Sequence, residues 1–198
     1  MMLNIEEKDW KSAEDLLALI ERGKRVPITN RVDISDQWYQ RNPSLQIAEI
    51  KAMAQIHPDA KMGYLPNGKM AWLIQLQGNN QSRSWTVLAV YDDNHPNYRI
   101  GRDGGIKFYP LNPSYQDMQK MVDDSPVNPK IIPHTLRDEY GLIWLSIETS
   151  SDREHNIIHT AASCSHYANR WIMLFEAGLN NQKVWNVFCG INGQYFTE

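Results

Sequence analysis

Two neighbouring runs, residues 70–76 (MAWLIQL) and residues 85–91 (WTVLAVY), decide the fold predicted from this sequence. Both are rich in the aromatic and β-branched side chains that favour strands, and residues 106–109 (IKFY) repeat the pattern less cleanly. Turn-forming residues lie between the runs, and the intervals are too short for helical crossovers. An antiparallel meander sheet is therefore predicted, with the apolar residues 142–147 as its fourth strand.

Helices are predicted before and after this sheet. Asn42 and Pro43 supply an N-cap and a proline at the first helical position, and an apolar stripe follows at near-helical spacing: Leu45, Ile47, Ile50, Met53 and Ile56. A long helix is predicted from Thr160, its cap, to Leu179. A shorter one is predicted over residues 12–23, where a Ser-x-x-Asp cap precedes an apolar stripe and a glycine stop: Leu16, Leu17, Leu19, Ile20 and Gly23.

The composition indicates one globular unit of α+β architecture, with helices packed against the meander. The chain has 198 residues, of which 42% are hydrophobic, and this suffices for a single core. Residues 1–41 are interpreted as an N-terminal helix and connector, and residues 42–198 as the main domain. Residues 109–133 contain five prolines and little apolar periodicity, which predicts an extended passage across one face.

Charge and cysteine content restrict the classes of partner. A net charge of −3 argues against a strong sequence-independent grip on nucleic acid. The N-terminus lacks an apolar signal core, and no run approaches the roughly 18 apolar residues of a membrane span. Two cysteines form at most one disulfide, which is typical of a reducing cytosol. We therefore expect a cytoplasmic protein with no nucleic-acid or membrane partner.

Residues 133–148 (PHTLRDEYGLIWLSIE) carry a resemblance to a known family. Their Pro-His turn, polar loop and short apolar strand are similar to the reaction-centre segment of bacterial ubiquitin-conjugating (E2-like) proteins. Tyr109-Pro110-x-x-Pro113 precedes this segment and a helix with a tryptophan signature, from Thr160 to Trp185, follows it, as in that family. The resemblance covers roughly residues 43–185. It implies a UBC-like fold, with a four-stranded antiparallel meander sheet packed by N- and C-terminal helices.

The nucleophilic cysteine of that family is missing from this chain. By spacing, Trp144 stands at its position, and a shift of two residues places Ser146 there instead. Tryptophan cannot form a thioester, and a serine hydroxyl needs a base before it reacts. The resemblance also implies that His134 orders the loop, whereas a plain turn histidine is the other interpretation. Asp138, together with Glu139, is either a base for an incoming amine or a solvated loop residue.

The resemblance implies a component of a bacterial ubiquitin-like protein conjugation system, of the kind associated with antiviral defence. Its expected partners are a ubiquitin-like protein, an E1-like activating enzyme and a protein target, and no cofactor is expected. The chain is a non-catalytic scaffold if Trp144 occupies the cysteine position, and a Cys-to-Ser form of a transfer enzyme if Ser146 does. Two alternatives stay open: an α+β protein-interaction domain without conjugation chemistry, and a hydrolase that uses Ser146 or Cys164.

One cluster has the spacing of metal ligands, His155-x-x-x-His159 followed by Cys164-x-His166. Helical spacing points Cys164 and His166 apart, so chance clustering is the favoured interpretation and no metal site is predicted. Cys164 is interpreted as a small buried hydrophobe, and residues 185–190 around Cys189 as a strand or a packing segment.

Overall fold

A six-stranded antiparallel sheet lies at the centre of the described chain, with the strand order β1-β2-β3-β4-β6-β5. In the computed structural model of the protein, the described residues are 37–65, 68–79, 83–93, 95–96, 105–138, 141–147 and 160–190. The predicted helix over residues 12–23 lies outside these ranges. The strands are β1 (Lys61–Tyr64), β2 (Met70–Gln77), β3 (Ser84–Tyr91), β4 (Ile106–Asn112), β5 (Thr135–Arg137) and β6 (Ile143–Leu145).

The α+β class predicted from the sequence is confirmed, but the sheet has six strands rather than the predicted four. The four predicted strands correspond to β2, β3, β4 and β6. The two additional strands, β1 and β5, have four and three residues and lie at the two edges of the sheet. Their sequences, KMGY and TLR, contain no run of strand-favouring residues, so pairing with β2 and β6 is what makes them strands.

The described helices are α1 (Trp38–Arg41), α2 (Pro43–Ile56), α3 (Tyr115–Asp124), α4 (Ala161–Leu179) and α5 (Gln182–Phe188). The two helices predicted in these ranges are confirmed as α2 and α4. The Asn42 side chain accepts a hydrogen bond from the Leu45 amide at 3.1 Å, and the Thr160 hydroxyl accepts one from the Ser163 amide at 3.0 Å. Each cap satisfies a backbone donor that the first helical turn leaves without a partner.

Three of the described helices, α1, α3 and α5, were not predicted, and the four-residue α1 lies in the stretch interpreted as part of the connector. The prediction of an extended passage over residues 109–133 is wrong for the residues of α3. The prolines of this passage lie before and after the helix, and a capping box between Ser114 and Asp117 begins it. Of the two interpretations of the segment around Cys189, the strand is wrong, because α5 ends at Phe188 directly before it; the packing role is confirmed, and the Asn181 side chain caps the beginning of this helix. Helices α3 and α5 are short, with ten and seven residues, and each buries an apolar pair: Met118 and Val122 on α3, Trp185 and Phe188 on α5.

The sheet buries apolar side chains on both faces, because residues along β2, β3 and β4 alternate between two clusters. The inner cluster includes every buried apolar residue of the described helices, among them the fully buried Trp38 and Trp185. The outer cluster lies on the opposite face of the sheet. It consists of Leu65, Ala71, Leu73, Leu88, Val90, Tyr109, Leu111 and Trp144.

Glu49, on α2, is a carboxylate with no exposed surface. Its Oε2 accepts hydrogen bonds from the Tyr91 hydroxyl at 2.6 Å and the Ala161 amide at 2.9 Å, and its Oε1 lies 3.2 Å from His95 Nε2. Burial, and then the Glu49 carboxylate, raise the pKa of Tyr91 well above its usual value, so this phenol stays protonated and donates. The network joins α2 to β3 and to the N-terminus of α4, whose dipole favours the negative charge.

Replacing Glu49 with alanine is expected to lower the free energy of unfolding by about 3 kcal/mol, because buried donors then lose their acceptor. Urea denaturation followed by tryptophan fluorescence measures this loss. Gln55→Ala, at an exposed position of the same helix, is the matched control and should change stability by less than about 0.5 kcal/mol. A loss below about 1 kcal/mol for Glu49→Ala would contradict the expectation.

His57, at the end of α2, contacts α4 through Ser165. His57 Nε2 lies 2.6 Å from the Ser165 hydroxyl, which donates to the Ala162 carbonyl oxygen at 2.6 Å and so accepts from His57. Burial, and then the nearby His166, lower the pKa of His57. The folded chain therefore holds this proton less tightly than the unfolded chain. The stability that comes from keeping His57 neutral is fully present above the pKa of this residue in the unfolded chain, near 6.5. It is lost as the pH falls through the pKa of His57 in the folded chain.

A His57→Gln variant is expected to lose less stability than the wild type when the pH falls from about 7.5 to about 5, because it lacks the proton that favours unfolding. Urea midpoints at the two pH values measure the difference. His166→Gln removes only the smaller cause of the shift and should keep most of the pH dependence. Equal losses in the wild type and in His57→Gln would refute this assignment.

Candidate functional site

The β5–β6 hairpin carries all four residues predicted for the site: His134, Asp138, Trp144 and Ser146. The register pairs Thr135 with Leu145, and the Ser146 amide donates to the His134 carbonyl oxygen at 2.8 Å, which extends the ladder by one pair. His134 and Ser146 therefore lie opposite each other at the open end of the hairpin, and Asp138 lies at its turn. The hairpin thus brings the Pro-His turn next to the strand that carries Trp144.

The imidazole of His134 faces α5. Its Nε2 lies 2.6 Å from the carbonyl oxygen of Phe188, and the two rings are 5.6 Å apart between centroids. A carbonyl oxygen only accepts, so Nε2 carries the hydrogen and is not available as a base. His134 has a φ of 51°, in the left-handed region that non-glycine residues rarely adopt. Of the two interpretations of His134, this geometry fits the residue that orders the turn.

Further hydrogen bonds attach α5 to the segment before the hairpin. The indole nitrogen of Trp185 donates to the Pro129 carbonyl oxygen at 3.0 Å. The Gln182 side chain bonds both the amide and the carbonyl oxygen of Asn128, at 2.9 and 2.6 Å. Together with the His134 bond, these contacts set the position of the hairpin relative to the inner cluster.

Ser146 is half-buried directly after β6. Within the described part of the chain, Ser146 donates its backbone amide to His134, and its hydroxyl makes no hydrogen bond to a base. His134, the histidine opposite Ser146 in the hairpin, donates through Nε2 to the carbonyl oxygen of Phe188. A serine whose hydroxyl is not hydrogen-bonded to a base has the ordinary reactivity of an alcohol.

Trp144 belongs to the outer cluster and has 4% of its surface exposed. Leu136 lies opposite it on β5, and the ammonium of Lys107 is 5.8 Å from its ring centroid. This distance and position are those of a cation–π contact. The indole therefore packs within the outer cluster on one face of the sheet.

Asp138 shapes the turn of the hairpin. Its Oδ1 accepts from the Leu142 amide at 2.8 Å and its Oδ2 accepts from the Tyr109 hydroxyl at 3.0 Å. Gly141, with a φ of 85°, provides the left-handed backbone that closes the turn. These bonds occupy both carboxylate oxygens in structural roles, and Glu139 lies outside the described residues.

The competing sites predicted or weighed from the sequence do not assemble among the described residues. His155 and His159 lie outside the described ranges, and within those ranges no group of three potential ligands could hold a metal ion. Burial raises the pKa of Cys189, which favours the unreactive thiol. A hydrogen-bonded serine–histidine pair, Ser165 with His57, was not predicted from the sequence, because 108 residues separate the two. Ser165 is 1% exposed, and its hydroxyl donates to the carbonyl oxygen of Ala162.

Comparisons with protein-family models, with curated proteins and with solved structures give no match to this chain. None of the helices in the described ranges has the length and apolar character needed to cross a membrane.

His134→Ala is expected to destabilise the C-terminal turn of α5. The Phe188 carbonyl oxygen loses its donor, and the contact between the His134 and Phe188 rings is lost. Amide hydrogen exchange over residues 182–190 should accelerate, and the free energy of unfolding should fall by about 1–2 kcal/mol. Ser146→Ala is the control, since Ser146 bonds through its backbone amide, and it should leave exchange in α5 unchanged. Unchanged exchange in His134→Ala would show that this bond does not hold α5.

Proposed function

We propose that this protein is an E2-like component of a bacterial ubiquitin-like protein conjugation system, and that it acts as a non-catalytic scaffold in antiviral defence. One observation carries the scaffold role: the residue at the family's cysteine position, by spacing, is Trp144, an indole buried in the outer cluster. A buried indole neither forms a thioester nor leaves room for one. The expected partners are a ubiquitin-like protein, an E1-like activating enzyme and a protein target.

The order of the elements supports a UBC-like fold. Helix α2 precedes four consecutive antiparallel strands, β1 to β4, and helices α4 and α5 close the described chain. Tyr109 and Pro110 lie in β4, and His134 precedes the hairpin that carries Trp144. With β1 to β4 taken as the family's four-stranded meander, β6, which the sequence predicted as its fourth strand, becomes an addition to it together with β5, and α3 is a further departure from the family pattern.

The environment of Ser146 favours the scaffold over the Cys-to-Ser form of a transfer enzyme. A transfer enzyme needs the hydroxyl of Ser146 deprotonated as it attacks, and among the described residues no hydrogen bond joins that hydroxyl to a base; the imidazole of His134 donates through Nε2 to the Phe188 carbonyl oxygen. Asp138 is likewise bonded to Leu142 and Tyr109. The polar residues of the hairpin therefore stabilise its shape.

A second candidate is an α+β protein-interaction domain without conjugation chemistry. The exposed isoleucines of α2 favour it, because Ile47 and Ile56 are 53% and 46% exposed and Ile50 is 36% exposed. Three isoleucines on the surface of one helix provide apolar area for a protein partner whatever that partner's chemistry. The two candidates differ in whether a ubiquitin-like protein is among the partners.

The deciding experiment incubates the protein with a ubiquitin-like protein, its activating enzyme and ATP, both proteins being taken from genes encoded beside this one. Trp144→Cys and Ser146→Cys are tested in a Cys164→Ala, Cys189→Ala background, so that only the introduced thiol can react. Ser44→Cys, on the exposed side of α2, is the matched control for an accessible thiol. Binding is measured by calorimetry, and adducts by mass under non-reducing conditions.

The scaffold predicts that the wild type binds the ubiquitin-like protein or the activating enzyme and forms no adduct. A thiol-sensitive adduct on Trp144→Cys or Ser146→Cys, absent from Ser44→Cys, would identify the ancestral reaction position. An adduct on the wild type that Ser146→Ala abolishes would replace the scaffold by a serine-dependent transfer enzyme. The absence of both binding and adduct would replace it by the general interaction domain.

A further inference from the structure

Helix α2 directs its carboxylate inward and two of its isoleucines outward. Glu49, the only acidic residue of this helix, has no exposed surface, whereas Ile47 and Ile50 are 53% and 36% exposed. A helix on the surface of a globular protein normally has the opposite arrangement, with polar side chains toward water. Large apolar residues that share an exposed face of one helix indicate a site where another surface packs.

The apolar residues on the outward face of α2 form one stripe, the α2 stripe. It consists of Pro43, Ile47, Ile50 and Ala54, all of which are exposed. Successive members are four, three and four residues apart, which is the spacing at which the side chains of one helix pack between those of a second. The stripe extends over most of the 14-residue helix, which is about 21 Å long. Ile56 lies on the other side of the helix and is not part of the stripe.

Charges of opposite sign lie at the two ends of the α2 stripe. Arg41 precedes the helix and Asp59 follows it, and both residues are exposed. The Arg41 guanidinium donates to the Asp93 carbonyl oxygen at 2.5 Å, which fixes its position, and it has further donors. A second copy in antiparallel orientation brings Arg41 of each copy toward Asp59 of the other, whereas a partner surface of a single sign meets a like charge at one end. The charges therefore fit a second copy of the chain.

The spacing of the stripe also fits an antiparallel pair. A two-fold axis midway between Ile47 and Ile50 places each of these residues against the other in the second copy, and it places Pro43 against Ala54. The larger side chains thus meet at the centre and the smaller ones at the ends, and both copies use the same surface, as in other two-fold dimers. Lys51 is the exposed charge within α2, and the two Lys51 side chains are offset along the helix axis by about 7.5 Å. A parallel pair would instead align all like charges.

We propose that two copies of the chain associate through their α2 stripes as an antiparallel, two-fold dimer. The stripe is smaller than the roughly 20–30 residues a side of a standard interface, so the dimer is weak and depends on protein concentration. Its centre is the pair of isoleucines, and the end charges set its orientation. The proposal stands independently of the proposed function, because it uses no residue of the β5–β6 hairpin.

Sedimentation velocity of the full chain, at concentrations from about 5 to about 500 µM, tests the dimer. Ile47→Asp combined with Ile50→Asp removes the centre of the stripe. Ile131→Asp is the matched control, because Ile131 is 56% exposed and lies outside α2. All three positions are exposed, so each variant should stay folded, which circular dichroism checks.

The wild type and Ile131→Asp are expected to sediment faster as the concentration rises, whereas the stripe variant should have a dimer Kd at least about 10-fold higher. A wild type that remains monomeric over the whole range would overturn the proposal. A dimer that persists in the stripe variant and is lost in Ile131→Asp would overturn it in favour of another surface.

Disulfide crosslinking tests the orientation in the Cys164→Ala, Cys189→Ala background. A chain with Ile47→Cys is mixed with a chain with Ile50→Cys under mild oxidant, and the products are resolved by mass. The antiparallel pair predicts that the mixed disulfide forms at least about 10-fold faster than either disulfide between identical chains, because the two positions face each other. Disulfides between identical chains as the main products would overturn the antiparallel arrangement.

Discussion

The buried carboxylate of Glu49 is the constraint on which the arrangement of helices over the sheet depends. A charge without exposed surface costs several kcal/mol unless donors surround it, and here the donors come from β3, from the N-terminus of α4 and from His95. These parts are distant in sequence and must meet for the charge to be tolerated. Once α4 begins at Ala161, the positions of its later turns and of α5 follow.

Contacts between α4 and α5 extend this constraint to the hairpin. A β-carbon on Gly178 would lie 2.7 Å from the Trp185 ring, so the absence of a side chain is what lets the indole approach α4. Trp185 and Phe188 then complete the inner cluster, and the carbonyl oxygen of Phe188 accepts a hydrogen bond from His134 Nε2. A path of buried contacts therefore runs from α2 to the turn that opens the hairpin.

The polar side chains of the hairpin take part in structure where an enzyme would use them in chemistry. His134 donates to a helix end, Asp138 closes a turn, and Trp144 packs in an apolar cluster. Each of these residue types is also found in reaction centres, and the sequence alone gives no means of separating the two uses. The difference lies in what each polar atom is bonded to in the folded chain.

The sequence by itself determined the elements whose signals are local. Caps at Asn42 and Thr160 marked α2 and α4, and dense β-branched and aromatic runs marked the central strands, because these preferences act within a few residues. The apolar stripe of α2 was only partly informative: Met53 is buried, whereas Ile47 faces solvent and Glu49 faces the core.

Tertiary structure alone decided the rest. The edge strands β1 and β5 depend on pairing with a neighbour, the charge of Glu49 depends on donors up to 112 residues away, and the role of His134 depends on a carbonyl 54 residues away. No local pattern encodes such contacts, because their free energy is gained only when the folded chain brings the partners together.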